Sequence, residues 1–157
     1  MPPPPVPAAA NFGGRIEIGF ELPLRVYFQD TDAGGVVFHA TYLHFLERAR
    51  VEWLRAKGFG QAELAQRFKL VFMVRQLEVA YVKPAVLDDL VTVTAEVGKM
   101  GRAQLTFLQE VRRGGETLLR ASVNVACVAT ETFKPMAIPE ELRASLDGDM
   151  NLRAQVA

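Results

Sequence analysis

Over residues 21–28 the chain alternates, with Leu22, Leu24, Val26 and Phe28 on one face, and this predicts a first strand. Residues 29–36, rich in Asp, Thr and Gly, break the alternation and predict a loop. The period then lengthens. From residue 39 to 57, Tyr42, Phe45, Leu46, Ala49 and Trp53 recur at helical spacing as one apolar stripe, and Gly58 stands where a helix C-cap glycine belongs. Glu47, Arg48, Glu52 and Arg55 fall opposite the stripe, with Arg48 and Glu52 spaced as an (i, i+4) pair. A short second helix is expected over 61–66. Four β-rich segments follow at 70–82, 90–100, 103–112 and 117–129, divided by Lys83-Pro84 with Asp88-Asp89, by Gly101 and by Gly114-Gly115. The paired glycines supply the positive φ that a tight hairpin needs. A small closing helix is expected over 139–146, starting at Pro139.

One long helix with a broad apolar stripe, then a run of strands as a four-strand meander, argues for an α+β domain over residues 21–146. Residues 1–20, which include MPPPPVP, favour extended polyproline conformations and are expected to be a disordered extension. Residues 147–157 are expected to be a flexible tail.

Composition narrows the function classes. The 157 residues fit one domain with a real core. Net charge is zero, so no global field favours nucleic acid or an anionic membrane. No segment is long and apolar enough for a transmembrane helix, and the N-terminus lacks the basic start and apolar stretch of a signal peptide. The single cysteine, Cys127, lies in an apolar run and is expected to be an inert core residue; it forms no internal disulfide, which fits a cytoplasmic location.

The chemistry concentrates in residues 25–59. Asp30, Thr31 and Asp32 before Gly34-Gly35 are good turn formers, and either aspartate could cap the helix. Context adds a further use. A carboxylate beside a helix N-terminus meets free amides and the positive end of the dipole. It can attack a thioester or deprotonate a water. Amides near residues 38–40 can receive a developing oxyanion. Gly35 lets backbone approach a ligand, and Val36, Val37 and Phe38 offer apolar surface to an acyl chain. His39 at the helix start can orient water or donate to a carbonyl. His44 is expected to be structural. A metal site from Asp30, Asp32 and His39 lacks the additional ligands that zinc or a hard cation wants. There is no Gly-x-Ser-x-Gly elbow, phosphate loop or dinucleotide fingerprint. Lys83, Lys99, Arg102, Arg112 and Arg113 are cations near strand ends, and Arg75 sits within a hydrophobic strand.

The run DTDAGGVVFHATY, with FMVRQLEVAYVKPAVLDDLVTV after it, resembles the 4-hydroxybenzoyl-CoA thioesterase family, and within it the YbgC-type acyl-CoA thioesterases. The resemblance spans roughly residues 23–139. It implies a hotdog fold, a long central helix wrapped by an antiparallel five-stranded sheet, with subunits paired into a homodimer or homotetramer and sites at the interface. It implies hydrolysis of acyl-CoA, with Asp32 in the catalytic acidic position, His39 assisting through side chain and amide, and Gly35, Val36, Val37, Phe38 and Tyr42 against the substrate. CoA is then part of the substrate and no bound cofactor is implied; acyl-carrier protein is an alternative carrier. Some YbgC-like members carry a tyrosine where this chain has Phe28, a hydroxyl that only Tyr27 or Tyr42 could replace. Two other classes stay open: a hotdog hydratase or dehydratase, which uses a shorter Asp-to-His spacing, and a non-catalytic acyl-binding protein associated with the Tol-Pal system of the cell envelope.

Overall fold

The computed structural model describes residues 19–156, with side chains through residue 148. Strand β1 (Phe20–Arg25) leads through a single 3-10 turn (Phe28–Asp30) to helix α1 (Thr41–Ala56) and the short helix α2 (Gln61–Arg67). Strands β2 (Leu70–Tyr81), β3 (Leu90–Met100), β4 (Gln104–Arg113) and β5 (Glu116–Ala129) follow, and helix α3 (Glu140–Val156) closes the chain. All strand pairings are antiparallel, in the order β1-β3-β4-β5-β2. The expected extension over residues 1–20 lies outside the described residues except for Gly19 and Phe20, the latter already in β1.

The helical stripe forms as its spacing requires. Tyr42, Phe45, Leu46, Ala49 and Trp53 are all buried, and α1 lies across the sheet with the Trp53 ring edge-on to Phe107 at 5.5 Å. The strands contribute alternate residues to the same core: Val91, Val93, Ala95 and Val97 from β3, and Leu105, Phe107 and Val111 from β4. Cys127 is buried among them, and burial pushes its thiol up to about 11. Arg67 pairs with Glu141, tying α2 to α3.

Four expectations change. The five strands are present, but they are not a four-strand meander. Only β3, β4 and β5 form one; β2 crosses to the far edge and pairs with β5, while β1 pairs with β3. Apolar periodicity marks a strand without naming its neighbour. The first strand ends at Arg25. Val26 remains in the core, but the 3-10 turn then abandons the two-residue period, and Phe28 swings out to 81% exposure. Glu52 pairs with Arg55 one helical turn on, rather than with Arg48. The closing helix runs to Val156, through the residues expected to form a tail, while Ile138, Leu142 and Leu146 anchor its start in the core.

Candidate active site

Two carboxylates begin the site, and they have different environments. Asp30 is only 8% exposed, and its Oδ2 accepts the Tyr27 amide at 2.8 Å. Its carbonyl accepts the Phe38 amide at 2.9 Å. Asp30 therefore fastens the two ends of the loop together. Asp32 is exposed at the loop tip. Its Oδ1 accepts the Gly34 amide at 2.8 Å, and no hydrogen bond to Oδ2 is formed among the described residues. The backbone closes the same turn, with Gly35 N donating to Asp32 O and Asp32 N to Val36 O, both at 3.0 Å. The glycines are needed here. A Cβ on Gly34 would stand 3.1 Å from Asp32 Oδ1, and Gly35 has φ +79°.

The loop rests on the connection between β2 and β3. Val37 N donates to Ala85 O at 2.9 Å, and Val36 and Val86 form an isolated β-bridge. From the other side, the Ala85 amide donates to the Tyr42 hydroxyl at 3.0 Å, and the Tyr81 hydroxyl donates to the His39 carbonyl at 2.7 Å. The connection is itself locked. Asp89 Oδ2 accepts the Val86 amide at 2.9 Å and pairs with Arg113 at 2.7 Å.

Desolvation alone would raise the Asp89 carboxyl, but the Val86 and Arg113 hydrogen bonds outweigh it and hold Asp89 below the usual aspartate value. A depressed folded-state value stabilises above the unfolded one, about 3.9, and is lost as pH falls through the folded value. The melting-temperature difference between wild type and Asp89→Asn should therefore hold at neutral pH. Thermal melts should show it shrinking as pH drops below about 3.9. A difference that does not vary with pH would remove the ion pair from the lock.

These contacts sort the expected site residues. Asp32, Gly35, Phe38 and His39 are exposed, and Val36 is half-buried. The His39 ring packs edge-on against Phe38 at 4.5 Å. Val37 and Tyr42, expected against the substrate, are each only 3% exposed within the subunit. The Thr31–Val37 bridge turns Val37 inward, and Tyr42 belongs to the buried stripe of α1. Burial raises the Tyr42 hydroxyl above its ordinary value, and the Ala85 amide occupies it as an acceptor. Both residues hold the loop in place. Of the amides at 38–40, Phe38 is engaged by Asp30; His39 and Ala40 have no backbone partner among the described residues. The α1 N-terminus also lacks a side-chain cap, so its dipole end stays open.

The cations expected near strand ends are mostly paired within the sheet: Lys83 with Glu116, and Arg112 with Glu110. Arg75 donates to the Gln104 amide oxygen rather than to a carboxylate. Among the described residues no three His, Cys, Asp or Glu side chains gather at metal-binding distance. No helix of the described residues is long and apolar enough to cross a membrane.

Two cavities lie away from the loop. One, of about 630 Å³, is on the outer face of the sheet, where charged groups such as Glu21, Glu96 and Arg120 stand among apolar and small residues. The other, of about 700 Å³, is an apolar groove between α1, α2 and the first half of β2. Neither is lined by Asp32 or His39. Sequence reading missed this groove, because its walls come from α1, α2 and β2, with Phe107 of β4 and Val125 of β5, and no single periodicity reveals their packing.

The chain is similar to known proteins over most of its length. The model of the thioesterase superfamily matches residues 34–120. The acyl-CoA thioesterase YbgC of Haemophilus influenzae is 46% identical over 130 residues, 83% of this chain and 96% of that protein. The acyl-CoA thioester hydrolase YbgC of Escherichia coli O6:H1 is 44% identical over 126 residues, 80% of this chain and 93% of its own length. The crystal structure of a probable thioesterase from Bartonella henselae superposes with a TM-score of 0.74 at 36% identity, covering 77% of this chain and 99% of that one.

Proposed function

The chain belongs to the thioesterase superfamily, and from that premise we infer that it hydrolyses acyl-CoA thioesters to the free acid and CoA. The observation that carries the mechanism is the division of labour between the two aspartates. Asp30 is consumed in fastening the loop, while Asp32 keeps an exposed carboxylate oxygen on the loop that leads into the uncapped start of α1. Asp32 attacks the thioester carbonyl, giving an acyl anhydride that water then hydrolyses to the acid, or it takes the proton of a water that attacks directly. The His39 and Ala40 amides receive the oxyanion, and the thiolate of CoA leaves. The His39 side chain orients the water or the substrate. The reaction needs no bound cofactor.

Phe28 and Phe38 give the loop exposed apolar surface, but the loop lines neither cavity, and a long acyl chain needs a longer apolar wall. We place it in the groove along β2, served by the loop of a second copy. Met73, Val74, Leu77 and Tyr81 of β2 are exposed apolar residues on an unpaired edge, a surface that proteins ordinarily cover. Antiparallel meeting of two such edges near Leu77 would set Met73, in the groove wall, opposite the Tyr81 of a second copy, which holds His39. The working unit is then a homodimer, or a homotetramer built from it. Sedimentation should give a dimer for the wild type and monomer for Leu77→Lys; a monomeric but fully active wild type would refute the shared site. A cytoplasmic location and acyl-carrier protein as a second carrier fit this reading.

Product analysis separates the two enzymatic readings. Saturated acyl-CoAs of graded length should yield equal amounts of acid and free thiol. An α,β-unsaturated acyl-CoA converted to its hydroxyacyl thioester, with no thiol released, would favour a hydratase instead.

A further inference from the structure

The apolar groove contains one group that a plain alkyl chain does not need. Leu54, Leu64, Leu70 and Phe72 form its walls, yet Arg50 also opens into it. Arg50 is half-buried, and this burial pushes its pKa below the usual arginine range, with Glu47 pulling the other way. Its Nη1 donates to Gln109 Oε1 at 3.0 Å. Gln109 is 2% exposed, and its amide nitrogen donates to Leu46 O at 3.0 Å and Thr94 O at 3.1 Å. Gln109 is thus held at both ends and fixes the guanidinium in turn. Glu47, the other charged residue on the groove, is exposed and makes no ion pair with Arg50, which has none among the described residues.

A half-buried cation against apolar walls is costly unless an anion meets it, and a neutral amide does not neutralise it. Among the described residues only one of its five N–H donors is engaged, and the rest lie in the planar fork that matches a carboxylate. The methylenes of an acyl chain suit the walls, whereas a doubly charged phosphate does not. We propose that Arg50 binds a carboxylate at the far end of the acyl group, so that the preferred substrates are CoA thioesters of dicarboxylic acids. The proposal rests on the reading above that the groove takes the acyl chain.

Adipoyl-CoA and hexanoyl-CoA test it, since they have equal carbon number and differ by the terminal carboxylate. The kcat/KM ratio of adipoyl-CoA to hexanoyl-CoA, measured within one preparation, does not depend on the folded fraction. The wild-type ratio should favour adipoyl-CoA, and Arg50→Met should lower it roughly 10- to 100-fold, mainly through KM. Arg50→Lys, which keeps the charge but not the fork, should fall between. A wild-type preference for hexanoyl-CoA, or a ratio that Arg50→Met leaves unchanged, would overturn the proposal and leave Arg50 as a partner of Gln109 or of a second copy. If neither thioester is hydrolysed, the hydrolytic reading fails, and calorimetric binding decides the matter for Arg50. Tighter, Arg50-dependent binding of adipoyl-CoA supports the subsite; equal binding of both thioesters overturns it.

Discussion

Replacing Asp32 with asparagine should leave a folded protein that releases CoA at least about a hundredfold more slowly. The side chain is exposed and contributes to the fold through one local bond, from the Gly34 amide to Oδ1. An asparagine oxygen can accept the same bond, so the turn survives the change. The second carboxylate oxygen is what disappears, and with it the capacity to attack a carbonyl or take a proton from water. Asp30 is not a substitute. It is committed to the Tyr27 amide inside the loop, and moving it would undo the turn that positions the site. Initial rates of thiol release, set beside thermal melts of both proteins, check the prediction. Matched melts with an unchanged rate would remove Asp32 from the mechanism.

Phe45→Ala should cost about 3–5 kcal/mol of folding stability. Phe45 is fully buried in the centre of the α1 stripe, with its ring edge-on to Tyr42 at 5.9 Å. Truncation loses the transfer energy of the ring and leaves a void under the helix that packed neighbours fill only in part. Domains of this kind have about 5–15 kcal/mol in total, so the variant should melt far below the wild type. The site should loosen with it, because the neighbouring Tyr42 holds the Ala85 amide and Ala85 in turn holds Val37. Denaturant titration gives the value directly. A loss under about 1 kcal/mol would mean that the helix does not pack as described.

The sequence made α1 legible because a helix with one buried face leaves a 3.6-residue signature; every residue of the expected stripe is buried. Strand positions were legible for the same kind of reason, as β3 shows. Its alternate residues Val91, Val93, Ala95 and Val97 all face the core. Pairing was not legible. Nothing in residues 70–82 says that their partner is β5 rather than β3, since that is decided by a chain crossing at long range. At the site, Asp30 and Asp32 are alike as turn formers, and only burial tells the fastening residue from the exposed one. Val37 and Tyr42 were expected beside the substrate because they adjoin the loop in sequence; their burial within the subunit is a product of packing that the sequence does not display. Arg50 gave no signal. An arginine within a helical run looks like a solvated face until Gln109, from a strand 59 residues later, is seen to hold it.

Free-thiol release from saturated acyl-CoAs by the unaltered protein, followed alongside binding of the same thioesters, tests the hydrolytic function most directly. Thiol release in proportion to enzyme, with equimolar free acid, is the predicted result. Tight binding of every acyl-CoA with no thiol released would contradict it, and would leave an acyl-binding protein built on a thioesterase fold.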